Sequence, residues 1–295
     1  MATVNEGDEV IISAPYWVSY PDIVLLCGGV PVIVTCGQEQ SFKLPAADLA
    51  EAITPRTRWV ILNSPSNPSG AGYTENEIRQ LAEVLKENPH VLVMADDIYE
   101  HLVYDDFRFF TPAQIGGDLA ERVLTCNGMS KAYCMTGWRM GYILSANSAL
   151  MEQVTKLQYY ITACSTDAMQ YGVLAAIEQA PDYPSEMRDA FRQRRDLICA
   201  RLNTIPGVSC HVPEGAFYVF PKVNVPGWSS VDIALEILKE GVVCSPGSAF
   251  GTDGEGHLRF AYTIDVKLID QAMDIVQKVL TRLHQAEPPE QPAQF

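Results

Sequence analysis

Nowhere in these 295 residues is there an apolar run approaching the ~18 that a bilayer-crossing helix needs. Basic residues are scarce: 21 Lys and Arg stand against 36 Asp and Glu, a formal net charge of −15. Nucleic acid and anionic lipid are both held chiefly by Lys and Arg, so neither is expected as a partner, and the acidic surface favours solubility. The opening stretch, Met1 to Glu9, lacks the basic-then-apolar pattern of a secretory leader. The eight cysteines (27, 36, 126, 134, 164, 199, 210, 244) form no C-x-x-C pair and no zinc-like grouping with histidine. They are expected as free thiols in a cytoplasmic, reducing setting, several packing as small hydrophobes. No internal repeat is present.

What is present is globular composition, 47% hydrophobic and 19% charged, enough for one large or two moderate cores. Short Val- and Ile-rich runs read as strands at Glu9–Ser13, Val32–Thr35, Trp59–Asn63, Val91–Ala95, Arg122–Cys126 and Met140–Ser145. Their nearly continuous apolar character suits strands covered on both faces. Helical periodicity falls between and after them, at Tyr20–Cys27, Pro45–Ala52, Glu75–Glu87 and one long helix at Ala149–Gln179. The alternation predicts an α/β domain with a mostly parallel sheet over residues 1–184. From residue 185 the pattern changes. A helix at Ser185–Asn203, a strand pair at Val208–His211 and Ala216–Phe220, a helix at Val231–Glu240, a strand at Leu258–Thr263 and a helix at Val266–His284 predict a smaller α+β unit over 185–285. The tail, 286–295, has three prolines and no periodicity, and is expected to be disordered.

The chemistry concentrates in the run Asn127-Gly128-Met129-Ser130-Lys131-Ala132-Tyr133-Cys134-Met135-Thr136-Gly137-Trp138-Arg139-Met140-Gly141-Tyr142. A lysine with a serine one residue before it and an arginine eight after it supplies what pyridoxal phosphate needs. The amine condenses with the aldehyde, while Ser130 and Arg139 hold the phosphate dianion. Four further motifs lie at the ends of predicted strands, where open α/β sheets place ligands. Asn67, in Asn63-Ser64-Pro65-Ser66-Asn67-Pro68-Ser69-Gly70, can hydrogen-bond a phenolic oxygen; an ordinary Pro-rich loop is the competing reading. Asp96, closing a strand, can pair a pyridine nitrogen and keep it protonated, with Tyr99 three residues on as a second donor to the phenolic oxygen. A surface acidic turn would look the same. Trp17 can stack on a cofactor ring or simply fill a core. Arg259, inside an apolar strand, demands a partner: a substrate carboxylate, or an internal acid.

Taken in order, these motifs are specific. With Gly7-Asp8-Glu9-Val10, Ala14-Pro15-Tyr16-Trp17-Val18-Ser19-Tyr20-Pro21, Asp96-Asp97-Ile98-Tyr99-Glu100, Pro213-Glu214-Gly215-Ala216-Phe217-Tyr218 and Pro246-Gly247-Ser248-Ala249-Phe250-Gly251, they resemble the class I, fold-type I pyridoxal phosphate-dependent aminotransferases, in particular the bacterial aspartate/prephenate group. The resemblance covers about residues 5 to 284. It implies a homodimer that moves an amino group from an amino acid of aspartate type to a 2-oxo acid such as 2-oxoglutarate. It further implies that Lys131 carries the cofactor and shuttles the proton, and that Asp96 pairs the ring nitrogen. Asn67 and Tyr99 would bind the phenolic oxygen, Ser130 and Arg139 the phosphate. Trp17 would stack on the ring, and Arg259 would clamp the substrate α-carboxylate, with Trp17 and Asn67 beside it. The rival readings are a prephenate or aromatic aminotransferase, a carbon–sulfur lyase on the same fold, and a silent truncated relative.

Two features depart from that pattern. Roughly the first hundred residues of the family have no counterpart, including a Gly-rich phosphate-binding turn, so Met1 reads as an internal methionine of a longer frame and weak cofactor binding is expected. The stretch Gln158–Gln170 carries Tyr159, Tyr160 and Ile161 where the aspartate-specific relatives have small residues, which leaves room for an apolar amino donor.

Overall fold

The computed structural model describes residues 1–290. Six strands form one sheet: β1 (Glu9–Ala14), β2 (Val30–Thr35), β3 (Thr57–Asn63), β4 (Leu92–Asp96), β5 (Val123–Gly128) and β6 (Gly141–Leu144). Their spatial order is β2-β1-β3-β4-β5-β6. Every neighbouring pair is parallel except β5 with β6. The helices α1 (Ser19–Leu26), α2 (Ala46–Ala52) and α3 (Glu75–Glu87) cross between parallel strands. Helix α3 shows why these residues become helix: Thr74 accepts from the Glu77 backbone N–H while the Glu77 carboxylate accepts from that of Thr74, satisfying two orphan donors. Its Ile78, Leu81, Ala82 and Leu85 then recur on one face, packed with Leu49, Val60 and Val93 against the sheet. Tyr20 and Val24 of α1 cover the opposite face with Ile12, Trp59 and Leu150.

Beyond the sheet run α4 (Ser148–Thr162), α5 (Asp167–Gln179), α6 (Tyr183–Asn203), β7 (Val208–Ser209), β8 (Tyr218–Val219), β9 (Lys222–Val223), α7 (Ser230–Lys239), β10 (Ser245–Pro246), β11 (Leu258–Ala261) and α8 (Val266–Leu283). The buried faces of α6, α7 and α8, with β8 and β11, build a further core from residues such as Leu202, Ile237, Phe260 and Val276. Tyr99, Leu102 and Tyr104, just after β4, insert into it and tie it to the sheet. No helix among the described residues is long and apolar enough to cross a membrane.

Three expectations need correction. The single helix expected over Ala149–Gln179 is two helices, separated at Ala163, whose φ of 60° lies in the left-handed region. The run Cys164-Ser165-Thr166 that follows is built of poor helix formers that favour helix starts. The segments around Val208 and Tyr218 do not pair with each other: β7 pairs β9 and β8 pairs β11, all antiparallel. Cross-strand partners here are set by burial of Val219 and Phe260 rather than by proximity in sequence. The outer strands β2 and β6 are not covered on both faces, and Ile33 and Leu144 stand exposed at 40% and 59%. Residues 286–290 carry no helix or strand, and the rest of the tail expected to be disordered, 291–295, lies outside the described residues.

Candidate active site

The carboxyl ends of β1, β3, β4 and β5 open onto a cavity of about 350 Å³, within the ~300–1,000 Å³ usual for small-molecule sites. Trp17, Asn67, Asp96, Tyr99, Lys131 and Arg259 all line it, although they come from five separate stretches of chain. Ser130 is half-buried beside Lys131 and Arg139 is exposed; neither belongs to the lining. Arg139 has a φ of 56° and donates from Nη1 to the Thr136 carbonyl at 3.0 Å.

Asp96 is the last residue of β4, in register with Asn63 on one side and Cys126 on the other. The Asn63 amide donates to the Asp96 carbonyl at 2.9 Å, closing the strand end. The Tyr20 phenol donates to Asp96 Oδ2 at 2.5 Å, and the Ile98 backbone N–H donates weakly to Oδ1 at 3.4 Å. Burial raises the Asp96 pKa from its ordinary value; these two donors and the Lys131 ammonium oppose the rise. This carboxylate is no surface turn. Tyr20 itself, deep in the core, titrates well above an ordinary phenol because of burial and its acidic neighbour.

Lys131 follows β5 by three residues. Its ammonium faces the rings of Phe217 and Tyr99, at 5.6 and 5.9 Å, and makes no salt bridge or hydrogen bond among the described residues. Burial lowers its pKa, Arg259 and Arg139 lower it further, and Asp96 pulls the other way. An amine of depressed pKa, free of an ionic partner, is available as a base or nucleophile.

Arg259, in the middle of β11, has no carboxylate partner among the described residues. Its Nη1 donates to Asn67 Oδ1 at 2.9 Å and its Nη2 to Ser245 Oγ at 3.1 Å. The guanidinium lies between the rings of Tyr218 and Phe250, each 4.8 Å away, and its Nε is buried with no hydrogen-bond partner among the described residues. An internal Arg–acid bridge is thereby excluded within the described chain, and the unsatisfied donor points to an anion from outside. Asn67 is held in turn, its backbone N–H donating to Asn63 Oδ1 at 2.9 Å. Trp17 is 39% exposed and meets Tyr20 edge-on at 5.3 Å, so it is a cavity residue and not core filling.

Among the lining or supporting residues given no role in the sequence reading are Tyr20, Tyr218, Ser245 and Asn127. Tyr20, Tyr218 and Asn127 stood inside motifs already singled out, which is the local signal that was available. Tyr218 and Ser245 reach the cavity through strand pairing alone. Asn127 donates to Glu100 Oε1 at 2.6 Å, a contact between segments that no spacing announces.

The model of the aminotransferases of class I and II matches residues 1–276. This chain belongs to that family. It is a pyridoxal phosphate-dependent aminotransferase, transferring an amino group between an amino acid and a 2-oxo acid. The aspartate/prephenate aminotransferase of Cereibacter sphaeroides is 48% identical over 277 residues, which cover 90% of this chain and 69% of that one. The aspartate aminotransferase of Rhizobium meliloti is 44% identical over 294 residues, 96% of this chain and 71% of that protein. The crystal structure of an aspartate aminotransferase from Rhizobium meliloti superposes with a TM-score of 0.90 at 43% identity, covering 95% of this chain and 72% of its own. The aromatic aminotransferase of Pyrococcus horikoshii gives a TM-score of 0.90 at 38% identity, covering 95% and 75%. These superpositions establish the fold-type I architecture expected above.

The cavity of the aminotransferase suits its cofactor at the ring and the aldehyde: the Asp96 carboxyl group, the Lys131 amine with no salt bridge among the described residues, and the Tyr99 phenol converge there. The phosphate end has fewer ready partners, since Ser130 and Arg139 stand outside the lining.

Proposed function

We propose that this aminotransferase takes an amino acid of aspartate type as donor and a 2-oxo acid such as 2-oxoglutarate as acceptor, with its chemistry carried by the residues around Lys131. The observation that supports this most directly is an amine and a guanidinium in one cavity, neither of them in a salt bridge among the described residues. When bound, pyridoxal phosphate supplies the aldehyde that takes the amino group and the ring that draws electrons from the α-carbon. Lys131 would hold the cofactor through its aldehyde, and its amine would serve as the base that moves the α-proton. Asp96 would pair the ring nitrogen and keep it protonated, the Tyr20 hydrogen bond favouring its carboxylate form. Asn67 and Tyr99 would donate to the phenolic oxygen, and Trp17 would stack on the ring. Ser130 and Arg139 would hold the phosphate, and Arg259 would take the substrate α-carboxylate on its N–H groups.

The domain division follows the same reading: 1–184 as the cofactor-binding α/β unit and 185–285 as the smaller one. A homodimer in the cytoplasm is the assembly proposed, with the exposed Tyr159, Tyr160 and Tyr171 of α4 and α5 as part of its contact face. Cofactor grip is expected to be limited by the phosphate end. Borohydride reduction of the chain incubated with pyridoxal phosphate, followed by peptide mass analysis, tests the central assignment. A pyridoxyl label on the Lys131 peptide is the expected outcome, and a label confined to other lysines would overturn it.

A further inference from the structure

Tyr218 stands where two parts of the cavity meet. It comes from β8, which pairs with β11 so that Tyr218 lies opposite Ala261, two residues from Arg259. Its ring lies under the Arg259 guanidinium at 4.8 Å, with Phe250 at the same distance from that group. Its hydroxyl lies 3.2 Å from that of Tyr99, with the two rings nearly perpendicular at 82°. Both tyrosines are almost fully buried, at 7% and 3% exposure, so neither phenol has water as an easy substitute partner. The neighbouring Phe217 ring faces the Lys131 ammonium.

We propose that Tyr218 is a positioning residue that sets Tyr99 and Arg259 at once, its hydroxyl aiming the Tyr99 proton into the cavity and its ring fixing the carboxylate-binding guanidinium. This rests on the roles given above to Tyr99 and Arg259. A phenol owns one proton. If Tyr99 spends its proton on the cofactor's phenolic oxygen, the contact with Tyr218 can only run from Tyr218 to Tyr99. Accepting that bond polarises Tyr99 and strengthens its own donation, as chains of hydrogen bonds do in a low-dielectric interior. The ring acts independently of the hydroxyl, through the attraction of a cation for an aromatic face. One side chain therefore holds the cofactor end and the substrate end in fixed relation.

The two halves separate by substitution. Tyr218→Phe removes the hydroxyl and keeps the ring. In the cofactor-loaded protein the pH of the visible absorbance transition is expected to move upward by roughly 0.3–0.5 unit, in the same direction as in Tyr99→Phe but less far. Affinity for 2-oxoglutarate, measured by calorimetry without turnover, is expected to stay within about twofold because the ring remains. Tyr218→Leu should weaken that affinity roughly 3- to 10-fold, its folding checked by thermal melting. If Tyr218→Phe leaves the transition unmoved or shifts it downward while Tyr99→Phe raises it, the proposal is wrong and the Tyr99 assignment stands. If Tyr99→Phe is silent too, or Arg259→Lys leaves 2-oxoglutarate affinity intact, the roles beneath the proposal fail instead. Should Tyr218→Leu not fold, the two readouts of Tyr218→Phe still decide, since a loss of 2-oxoglutarate affinity there would refute the separation of ring from hydroxyl.

Discussion

Tyr20 and Asp96, 76 positions apart in sequence, share a 2.5 Å hydrogen bond in which the phenol donates to the carboxylate. The bond joins the first turn of α1 to the end of β4, beneath the cavity. Burial pushes Asp96 toward its neutral form, and Tyr20 works against that push. Tyr20→Phe removes the donor at almost constant volume. The Asp96 pKa should then rise further, so the acid limb of kcat against pH should move to higher pH. Near neutral pH, kcat should fall roughly 10-fold, the worth of one hydrogen bond to a charged group. A pH–rate profile superimposable on that of the unsubstituted protein would exclude this role for Tyr20.

Lys131 is placed to be both the cofactor's attachment point and the proton carrier. Lys131→Ala should reduce transamination by roughly 10²-fold or more, with the thermal melt little changed because the ammonium makes no salt bridge among the described residues. The depressed pKa makes a second, independent prediction. In the cofactor-free chain, modification of Lys131 by an amine-directed acylating reagent should reach half-completion at a pH below the ordinary lysine value of about 10.4. Peptide mass analysis across a pH series reads this directly. A curve at or above the ordinary value would remove burial and the two arginines as controls on the amine.

Arg259 presents a fork that Asn67 and Ser245 hold at its two ends. Arg259→Lys keeps the charge and loses the fork, so KM for both amino acid and 2-oxo acid should rise roughly 10- to 100-fold while kcat changes far less. Ser245→Ala removes one holding bond and should raise both KM values only a few-fold, with Ser245→Thr restoring them. Steady-state kinetics on both substrates check the pair. An effect of Arg259→Lys on kcat alone would move the arginine out of ground-state carboxylate binding.

How legible all this was follows from the kind of signal each element leaves. Helix α3 was readable to its last residue because Thr74, Glu77 and the Ile78–Leu85 stripe are local and consistent. Strands β1 and β3 to β5 were readable because a Val/Ile run between turns admits little else, and Asp96 stood out as an acid closing such a run. The break at Ala163 was missed because alanine is the best helix former and its left-handed φ shows only in the backbone, and the one sequence signal was the short Cys164-Ser165-Thr166 run after it. The pairing of β8 with β11 was equally hidden, because short strands in a mixed α+β unit carry no order in their composition. Tyr218 and Ser245 were missed for that reason: each owes its place in the site to a strand neighbour about 40 and 14 residues away, respectively. The exposed faces of β2 and β6 went unforeseen because an apolar run marks a strand's chemistry without saying what lies over it.

Asp97 follows Asp96 directly but faces the interior, at 3% exposure. Burial, with smaller contributions from the nearby Glu100 and Asp96 carboxylates, raises its pKa to about 7. An unfolded aspartate titrates near 3.9. Between those two values the folded chain binds a proton that the unfolded chain has released, so stability falls as pH rises from about 4 to about 7 and stays lower above that. Asp97→Asn removes the titration while retaining the shape. Below about pH 4 the variant and the unsubstituted protein should melt alike, and at pH 8 the variant should be the more stable by a few kcal/mol at most. Thermal melts across the pH range provide the measurement. A variant less stable at pH 8 than at pH 5 by the same margin as the unsubstituted protein would place the pH dependence elsewhere, because the only group changed is the one whose ionisation the interior resists.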